Sequence, residues 1–595
     1  MISASVLVSY VLQRKMVRKH KVAFILAVLA SLIVAFPQIY LRFEPFNQGI
    51  ELIPDSPWAP RVREIQDGHG FGSIYYEDGK EDPYLHLPLG TMVVAYMGEV
   101  FGLDINNTLL LSRLVLPLAV FLLIYAFVFL LSADKLAALS VAALIVFADS
   151  VLNYYDLFRF LKGLPQGLSP SNFLELSRPV YSAMTLITFF GFLISFLRFF
   201  QTKNWRWGVV ATFILGLEFY NYFYTWTYLY AFGAILGLVF LVRKEWPEVK
   251  LVAGVYIGAL LVAIPYFVNL YKASLYPTYA ATALRHGLVG THAPVFIGLV
   301  ALAALIVFLF GFPREDKRKY FFGLALLLAP IITLNQQIIT GKALQTGHYH
   351  WYFHRPIAVV FVLVIAFAWL RTAVRPPLGG RTAKWLAVLL IIGSFATGAF
   401  IQAASYLGTY EGRDGGHKMV ERQRYGPAMD WLNENAEKEE VVFANEEVSN
   451  LVAIYTPLNV FHHRSDQLFL SATDERLLDI VFTFYRLRGV GMHNVEEVFH
   501  NERGSISTNL YGIYYRELLG AYENIPEEKL EEIITLYKET LKSPTQEWLS
   551  SVWHKYDVEY LIWDKVANPS WKLDLLGFLK KEADFGQIML YRIEI

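Results

Sequence analysis

Apolar residues fill this chain in long runs, each close to the roughly 20 residues that a helix needs to cross a bilayer. About eleven such runs occur, near residues 22–41, 108–132, 136–152, 179–198, 207–222, 224–242, 251–270, 294–312, 320–338, 356–371 and 385–404. A helix apolar on every side has no face left for water, so the pattern predicts a polytopic α-helical membrane protein. The run 89–103 is too brief, and too polar at Glu99, to cross; it reads as an amphipathic helix lying in the interface. Past a Gly-rich linker, Tyr410 to Gly416, the pattern changes to mixed polar and apolar positions. A-M-D-W-L-N-E-N reads as a helix and V-V-F-A-N as a strand. P-E-E-K-L-E-E-I-I-T-L-Y-K-E-T-L opens on Pro and acids and closes on Lys, as a helix dipole favours. V-E-Y-L-I-W-D and Q-I-M-L-Y-R-I are β-rich. The expected organisation is a transmembrane domain over 1–410, with a long first loop over 42–107, and a small α/β domain over 411–595.

Charge sets the expected orientation. If the N-terminus is cytoplasmic, the inside loops carry Arg198, Lys203 and Arg206; Arg243, Lys244 and Lys250; Arg314, Lys317, Arg318 and Lys319; and Arg371, Arg375, Arg381 and Lys384. Basic residues on that side follow the positive-inside rule. An odd number of spans then puts the C-terminal domain outside the cytoplasm. The basic stretch before Val22 resembles a signal peptide, but the long apolar run without a small-x-small site reads as a retained first span. Of the 595 residues, 55% are hydrophobic and 17% charged, and the net charge of +0 gives no reason to expect nucleic acid as a partner. The mean hydropathy is +0.38. Cysteine is absent, which excludes disulfides, thiolate metal sites and cysteine nucleophiles.

With that orientation the polar residues gather on the outer face. The first loop is acidic, with Asp55, Glu64, Asp67, Glu77, Asp78, Glu81 and Asp82. Asn153, Asp156, Arg159, Lys162, Arg178, Lys272, Arg285, His286 and the amides Asn335, Gln336 and Gln337 join it. Lys342, His348, His350, His354 and Arg355 follow in a Gly-flanked loop. Arg178, Arg285, Lys342, His348, His350 and Arg355 are candidate phosphate or donor ligands, because arginine forks match phosphate oxygens. Interfacial snorkelling or lipid headgroups account for Arg178 equally well. His348 and His350 fit a phosphate contact, a loop hydrogen bond or, more weakly, a divalent metal. The aromatic run Tyr220 to Trp226 is an interfacial belt or a wall for a polyprenyl chain or sugar, with Tyr222 a supporting candidate. Glu218, inside a span, is a functional or paired group. His462, His463 and Asp466 read as a surface cluster of the outer domain, which is expected to contact acceptor or cap a cavity. That domain shows no nucleophile elbow and no Gly-rich phosphate loop.

One stretch carries a family resemblance. After the first span comes P-D-S-P-W-A-P-R-V-R-E-I (Pro54 to Ile65), and later H-L-P-L-G (His86 to Gly90) before an apolar stretch. This resembles the first loop of GT-C superfamily glycosyltransferases, of the protein O-mannosyltransferase and lipid A aminoarabinose transferase type. Asp55 matches their aspartate, Arg63-Glu64 their helix, and Pro88-Leu89-Gly90 their closing segment, with His86 supporting. Ser56 stands where those families usually have Glu, and Leu87 where they have a first Pro. The Trp-Trp-Asp-Tyr-Gly signature of oligosaccharyltransferases is absent.

The resemblance implies a polyprenyl-phosphate-linked sugar donor, an extracytoplasmic lipid, glycan or protein acceptor, and Asp55 as base. A carboxylate there can take the acceptor hydroxyl's proton. Capping the helix that starts near Trp58 is the other role open to Asp55. A membrane scaffold with a partner-binding outer domain, or a lipid or polysaccharide transporter, are the alternative functions. No internal repeat supports a transporter.

Overall fold

The computed structural model describes residues 4–51, 58–148, 173–373, 378–411, 419–463, 465–512 and 525–595. The chain opens with α1 (Ala4–Arg42), followed in the first loop by α2 (Ala59–Gln66) and α3 (Leu89–Val100). Then come α4 (Ile105–Ser132), α5 (Lys135–Phe147), α6 (Met184–Thr202), α7 (Trp205–Leu217), α8 (Phe223–Val242), α9 (Trp246–Val262), α10 (Ile264–Ser274) and α11 (Tyr279–Arg285). The apolar part closes with α12 (Leu299–Gly311), α13 (Lys317–Thr333), α14 (Arg355–Ala373) and α15 (Leu378–Glu411). Two connections show why neighbouring helices run antiparallel. Ala133 (φ 55) and Lys203 (φ 56) each end a helix in the left-handed region. The next residue, Asp134 or Asn204, accepts from the first N–H groups of the following helix.

Seven described helices are long and apolar enough to cross a membrane: His20–Arg42, Ile105–Ser132, Pro179–Thr202, Phe223–Val242, Lys317–Thr340, Thr346–Thr372 and Leu378–Tyr410. The pair α9 and α10 bends by 51° and makes eight if it counts as one span. Large apolar residues such as Leu238, Leu389 and Ile392 stand exposed along them, as lipid-facing positions do. The expected eleven spans differ from this in three places. Runs 136–152, 207–222 and 294–312 become helices of 13 residues each, about 20 Å of rise. The apolar residues left over go into other structure: Glu218–Tyr220 forms a 3-10 turn, and Gly298 (φ 90) breaks the chain before α12. The run 136–152 extends past Ala148 and out of the described residues. The 89–103 run is a 12-residue helix that is packed rather than free. Gly90 and Gly98 bring its backbone so close to Val180 and Thr108 that an added Cβ would meet Val180 O at 2.2 Å and Thr108 Oγ1 at 2.1 Å.

Beyond residue 418 the expected α/β elements form. The helix Gly426–Asn435 leads into β3 (Val441–Phe443), and the helix Glu446–Tyr455 crosses over to β4 (Asn459–Val460). β5 (Val558–Asp564), β6 (Leu579–Asp584) and β7 (Ile588–Ile593) complete a five-stranded sheet in the order β4-β3-β5-β7-β6. The short pairing of β1 (Val289–Gly290) with β2 (Lys342–Ala343) stands apart from it. β3 runs parallel to both its neighbours, and β7 antiparallel to both of its own. Along β5 the pleat sends Tyr560 and Ile562 into one core and Leu561 into the other, and Val558, ahead of a register shift against β3, joins Leu561. The first of these cores is not built by the C-terminal residues alone. Ile50, Ile74, Tyr75 and Tyr76 of the first loop are buried in it, and Val460 N–H donates to Tyr75 O at 2.7 Å.

An ion network fastens the same loop to the same unit. Lys80 Nζ donates to Glu64 Oε2 of α2 at 2.8 Å and lies 2.9 Å from Glu439 Oε2. His69 Nε2 lies 2.7 Å from Glu439 Oε1, and Lys438 Nζ donates to Asp67 O at 2.8 Å. Burial lifts the Glu64 carboxyl above the usual carboxylate range in spite of Lys80. Burial pushes Glu439 the same way, but its bonds to Lys80 and His69 outweigh this and hold it below that range. Removing the shared cation leaves two facing carboxylates. Lys80→Met is therefore expected to cost about 3 kcal/mol, and Lys80→Met with Glu64→Gln less than Lys80→Met alone, as measured by unfolding of the purified protein in detergent. Equal stability of Lys80→Met and wild type would remove the network from the account.

Candidate active site

Helix α2 presents two faces, and they separate its two arginines. Trp58, Arg61 and Ile65 recur at helical spacing and turn inward; Arg63 lies on the other side and donates from Nε to Asp67 Oδ2 at 2.9 Å. Arg61 is 8% exposed, and its Nε has no hydrogen-bond partner. Its guanidinium lies 5.4 Å from the Trp58 ring centre and 5.7 Å from that of Phe469. Among the described residues no carboxylate neutralises it. Burial pulls its pKa down to about 10, which still leaves it charged at neutral pH.

Two histidines sit beside it. The rings of His86 and His286 lie 4.4 Å apart, and His86 meets the edge of Trp58 at 5.8 Å. His286 Nε2 is 3.0 Å from Leu468 O and so donates to it. Burial drives both imidazoles towards the neutral form, His286 to about 4, and the Arg61 charge adds to the effect. A fixed cation flanked by neutral imidazoles, with no counter-carboxylate among the described residues, has the chemistry to pair with an anion.

From Trp58 an aromatic wall runs to the third histidine. Tyr181 lies 4.1 Å from Trp58, and Tyr222 5.4 Å from Tyr181. The Tyr222 hydroxyl is hydrogen-bonded to His348 Nδ1, and His348 Nε2 lies 2.6 Å from Gln345 Oε1. Tyr224 stacks on the His348 ring at 4.6 Å. Tyr352, 5.5 Å from Tyr222, donates to Glu175 Oε2 at 3.2 Å, and Ser182 donates to the same oxygen at 3.2 Å. The residue next to this network is Arg178, exposed, at the start of the turn Pro179–Ala183. The first loop and the loop at 348 thus face one continuous wall.

The remaining candidates fall in different places. Asp55 lies outside the described residues, but the chain on either side of it is pinned. Glu51 accepts from Arg42 Nε at 2.8 Å and Gln38 Nε2 at 2.8 Å, and Trp58 holds Tyr181. Arg285 is buried at the end of α11, with Asp474 of the C-terminal unit 3.6 Å away. His350 faces His354, Nδ1 to Nδ1 at 3.3 Å, and Arg355 opens α14. Lys342 is exposed in β2, and no described contact joins it to the wall. Glu64 serves Lys80. His462, His463 and Asp466 are buried, not on the surface. Asp466 Oδ2 lies 2.8 Å from His462 Nδ1, and His463 stacks on Tyr75 of the first loop at 3.8 Å. The cluster belongs to the seam between loop and C-terminal unit. Among the described residues, the one grouping of three metal-type ligands is His500, Glu527 and Glu531. It is exposed, and Arg503 pairs with Glu527 at 2.8 Å. It lies outside the wall.

No family model and no curated protein matches the chain. Two solved structures of ArnT from Cupriavidus metallidurans are similar to it. The one bound to undecaprenyl phosphate covers 96% of this chain and 97% of its own, at 12% identity and a TM-score of 0.44. The apo form covers 91% and 93%, at 13% identity and a TM-score of 0.40.

The buried histidines give a pH signature. Folding keeps His286 neutral down to about 4, while an unfolded histidine protonates near 6.5. As pH falls through that window the unfolded chain binds protons that the folded chain refuses, so stability falls with it. The melting temperature is expected to drop between pH 7 and 5, and the slope to flatten in His286→Gln. An unchanged slope in that variant would show that His286 is not held neutral.

Proposed function

We propose that the chain is an integral-membrane glycosyltransferase of the GT-C type, moving a sugar from a polyprenyl-phosphate donor to an acceptor hydroxyl on the extracytoplasmic side. The observation that carries this reading is Arg61. It is a buried guanidinium without a carboxylate among the described residues, at one end of an aromatic wall. It follows Asp55 by six positions. A phosphate monoanion at Arg61 would supply the missing charge, and the rings of Trp58, Tyr181 and Tyr222 would line the sugar or the first isoprene units.

In this reading Asp55 takes the proton of the acceptor hydroxyl as its oxygen attacks the anomeric carbon. The bond from that carbon to the phosphate oxygen breaks, and the electron pair leaves with the lipid phosphate. Arg61 stabilises the charge that develops there. Displacement from the opposite face inverts the anomeric centre. Arg178, exposed beside Glu175 and Tyr352, is the second phosphate contact in this scheme. Arg285, Lys342, His350 and Arg355 extend the cationic rim. His348, with its ring nitrogens on Tyr222 and Gln345, holds the wall in place. The extracytoplasmic placement follows from the basic residues of the opposite loops.

Transfer is measured with purified protein in proteoliposomes and a radiolabelled polyprenyl-phosphate sugar. Asp55→Asn is expected to lower kcat by about 10³ with little change in donor affinity. Arg61→Met is expected to weaken binding of the unloaded polyprenyl phosphate and to lower kcat/KM. A folded Asp55→Asn variant that transfers at the wild-type rate would sink the assignment. Arg61→Met with unaltered lipid-phosphate binding would remove Arg61 from the donor site.

A further inference from the structure

Between α7 and α8 the chain makes a 3-10 turn, Glu218–Tyr220, and Glu218 is buried there with 0% exposure. A carboxylate without water is costly unless something compensates it. Asn221 Nδ2 donates to Glu218 Oε2 at 3.2 Å and to Thr188 Oγ1 at 2.9 Å. The other oxygen, Glu218 Oε1, has no partner. No Lys, Arg or His acts on it, and the groups within hydrogen-bonding reach of its carboxyl are the hydroxyls of Thr188 and Thr225 and the amide of Asn221. Thr225, 0% exposed on the first turn of α8, also has an unpartnered Oγ1. Thr188 donates to Met184 O at 2.9 Å and accepts from Asn221, which leaves its oxygen one further lone pair. One turn away on the same face of α6, Thr185 Oγ1 is buried and unpartnered as well.

We infer that Glu218, Thr225 and Thr188 form a binding site for a small monovalent cation, Na⁺, at this break between two helices. The ligand atoms are all oxygens, which suits a hard cation and not a transition metal. There is one carboxylate, so a single positive charge leaves the site neutral, whereas a divalent ion would leave an uncompensated charge among apolar helices. Interrupted helices are where membrane proteins assemble such oxygen cages. The inference is separate from the transfer reaction, since none of these three residues belongs to the wall or to Arg61.

The test is thermal unfolding of the full chain in detergent, with NaCl replacing choline chloride at constant ionic strength. The melting temperature is expected to rise saturably by several degrees with Na⁺, as ligand linkage requires. The rise is expected to vanish in Glu218→Gln and to need at least tenfold more Na⁺ in Thr225→Val. A wild type indifferent to Na⁺ overturns the inference, whether the group there is a neutral carboxylic acid or a buried water. So does a Na⁺ response that survives unchanged in Thr225→Val, the variant that decides the matter if Glu218→Gln fails to fold.

Discussion

Lys80 stands between two carboxylates that come from opposite ends of the chain, Glu64 of α2 and Glu439 of the turn before β3. An eight-residue helix has little stability of its own, so the direction in which α2 points is set by what grips it. Lys80 grips it in the middle. At its C-terminal end Lys438 reaches the carbonyl of Asp67, placing a cation where the helix dipole is negative. Glu439 sustains a φ of 73° to do its part, a conformation that costs about 1 kcal/mol. It is fixed there by Pro457 O, His69 and Lys80. With α2 so held, Trp58 and Arg61 face the wall and Arg63 faces away.

That orientation explains why a charged group can be buried at the site at all. Arg61 has lost most of its hydration, no carboxylate among the described residues neutralises it, and the acids of its own helix and of the turn before Arg178 are engaged elsewhere. Glu64 serves Lys80, and Glu175 accepts from Tyr352 and Ser182. Burial holds the His86 and His286 rings neutral, and the Arg61 charge beside them adds to the effect. The result is a buried positive charge with no carboxylate beside it among the described residues, which is what the proposed phosphate contact rests on. Stacking on Trp58 and Phe469 supplies part of the compensation. A buried charge of this kind costs stability, and the ion network of Lys80 on the same short helix offsets part of that cost.

The membrane character and the alternating C-terminal elements could be read from periodicity, because both patterns are local. The strands at 441–443, 558–564 and 588–593 and the helices at 426–435 and 527–540 fall where composition put them. What could not be read is long-range. Ile74, Tyr75 and Tyr76 look like loop residues until they enter the C-terminal core and β4 bonds to Tyr75 across almost 400 positions. The acidic residues of the first loop are not a uniformly solvated set: Glu64 is buried and Asp82 accepts from Tyr276 at 2.7 Å. Arg63-Glu64 carried the motif, but Arg61 turned inward. The spacing of Trp58, Arg61 and Ile65 held that signal. The runs 136–152, 207–222 and 294–312 correspond to described helices of only 13 residues each, and a 3-10 turn takes up residues 218–220 of the second.

That same turn connects the membrane interior to the site. If α7 simply continued through residue 222, Tyr222 would point along the helix surface into its neighbours. Instead the chain leaves helical geometry, and Tyr222 takes an extended conformation at φ −153 and ψ 121 before α8 begins. Its N–H bonds back to Glu218 O at 3.3 Å, which closes the turn. The ring is thereby thrown sideways, between Tyr181, Tyr352 and His348. The wall therefore depends on an interruption of the helix, and the interruption places Glu218 and Asn221 where no water reaches them. A polar turn buried at this depth is the condition for having Tyr222 in the wall, and its unpartnered oxygens are a consequence of that placement.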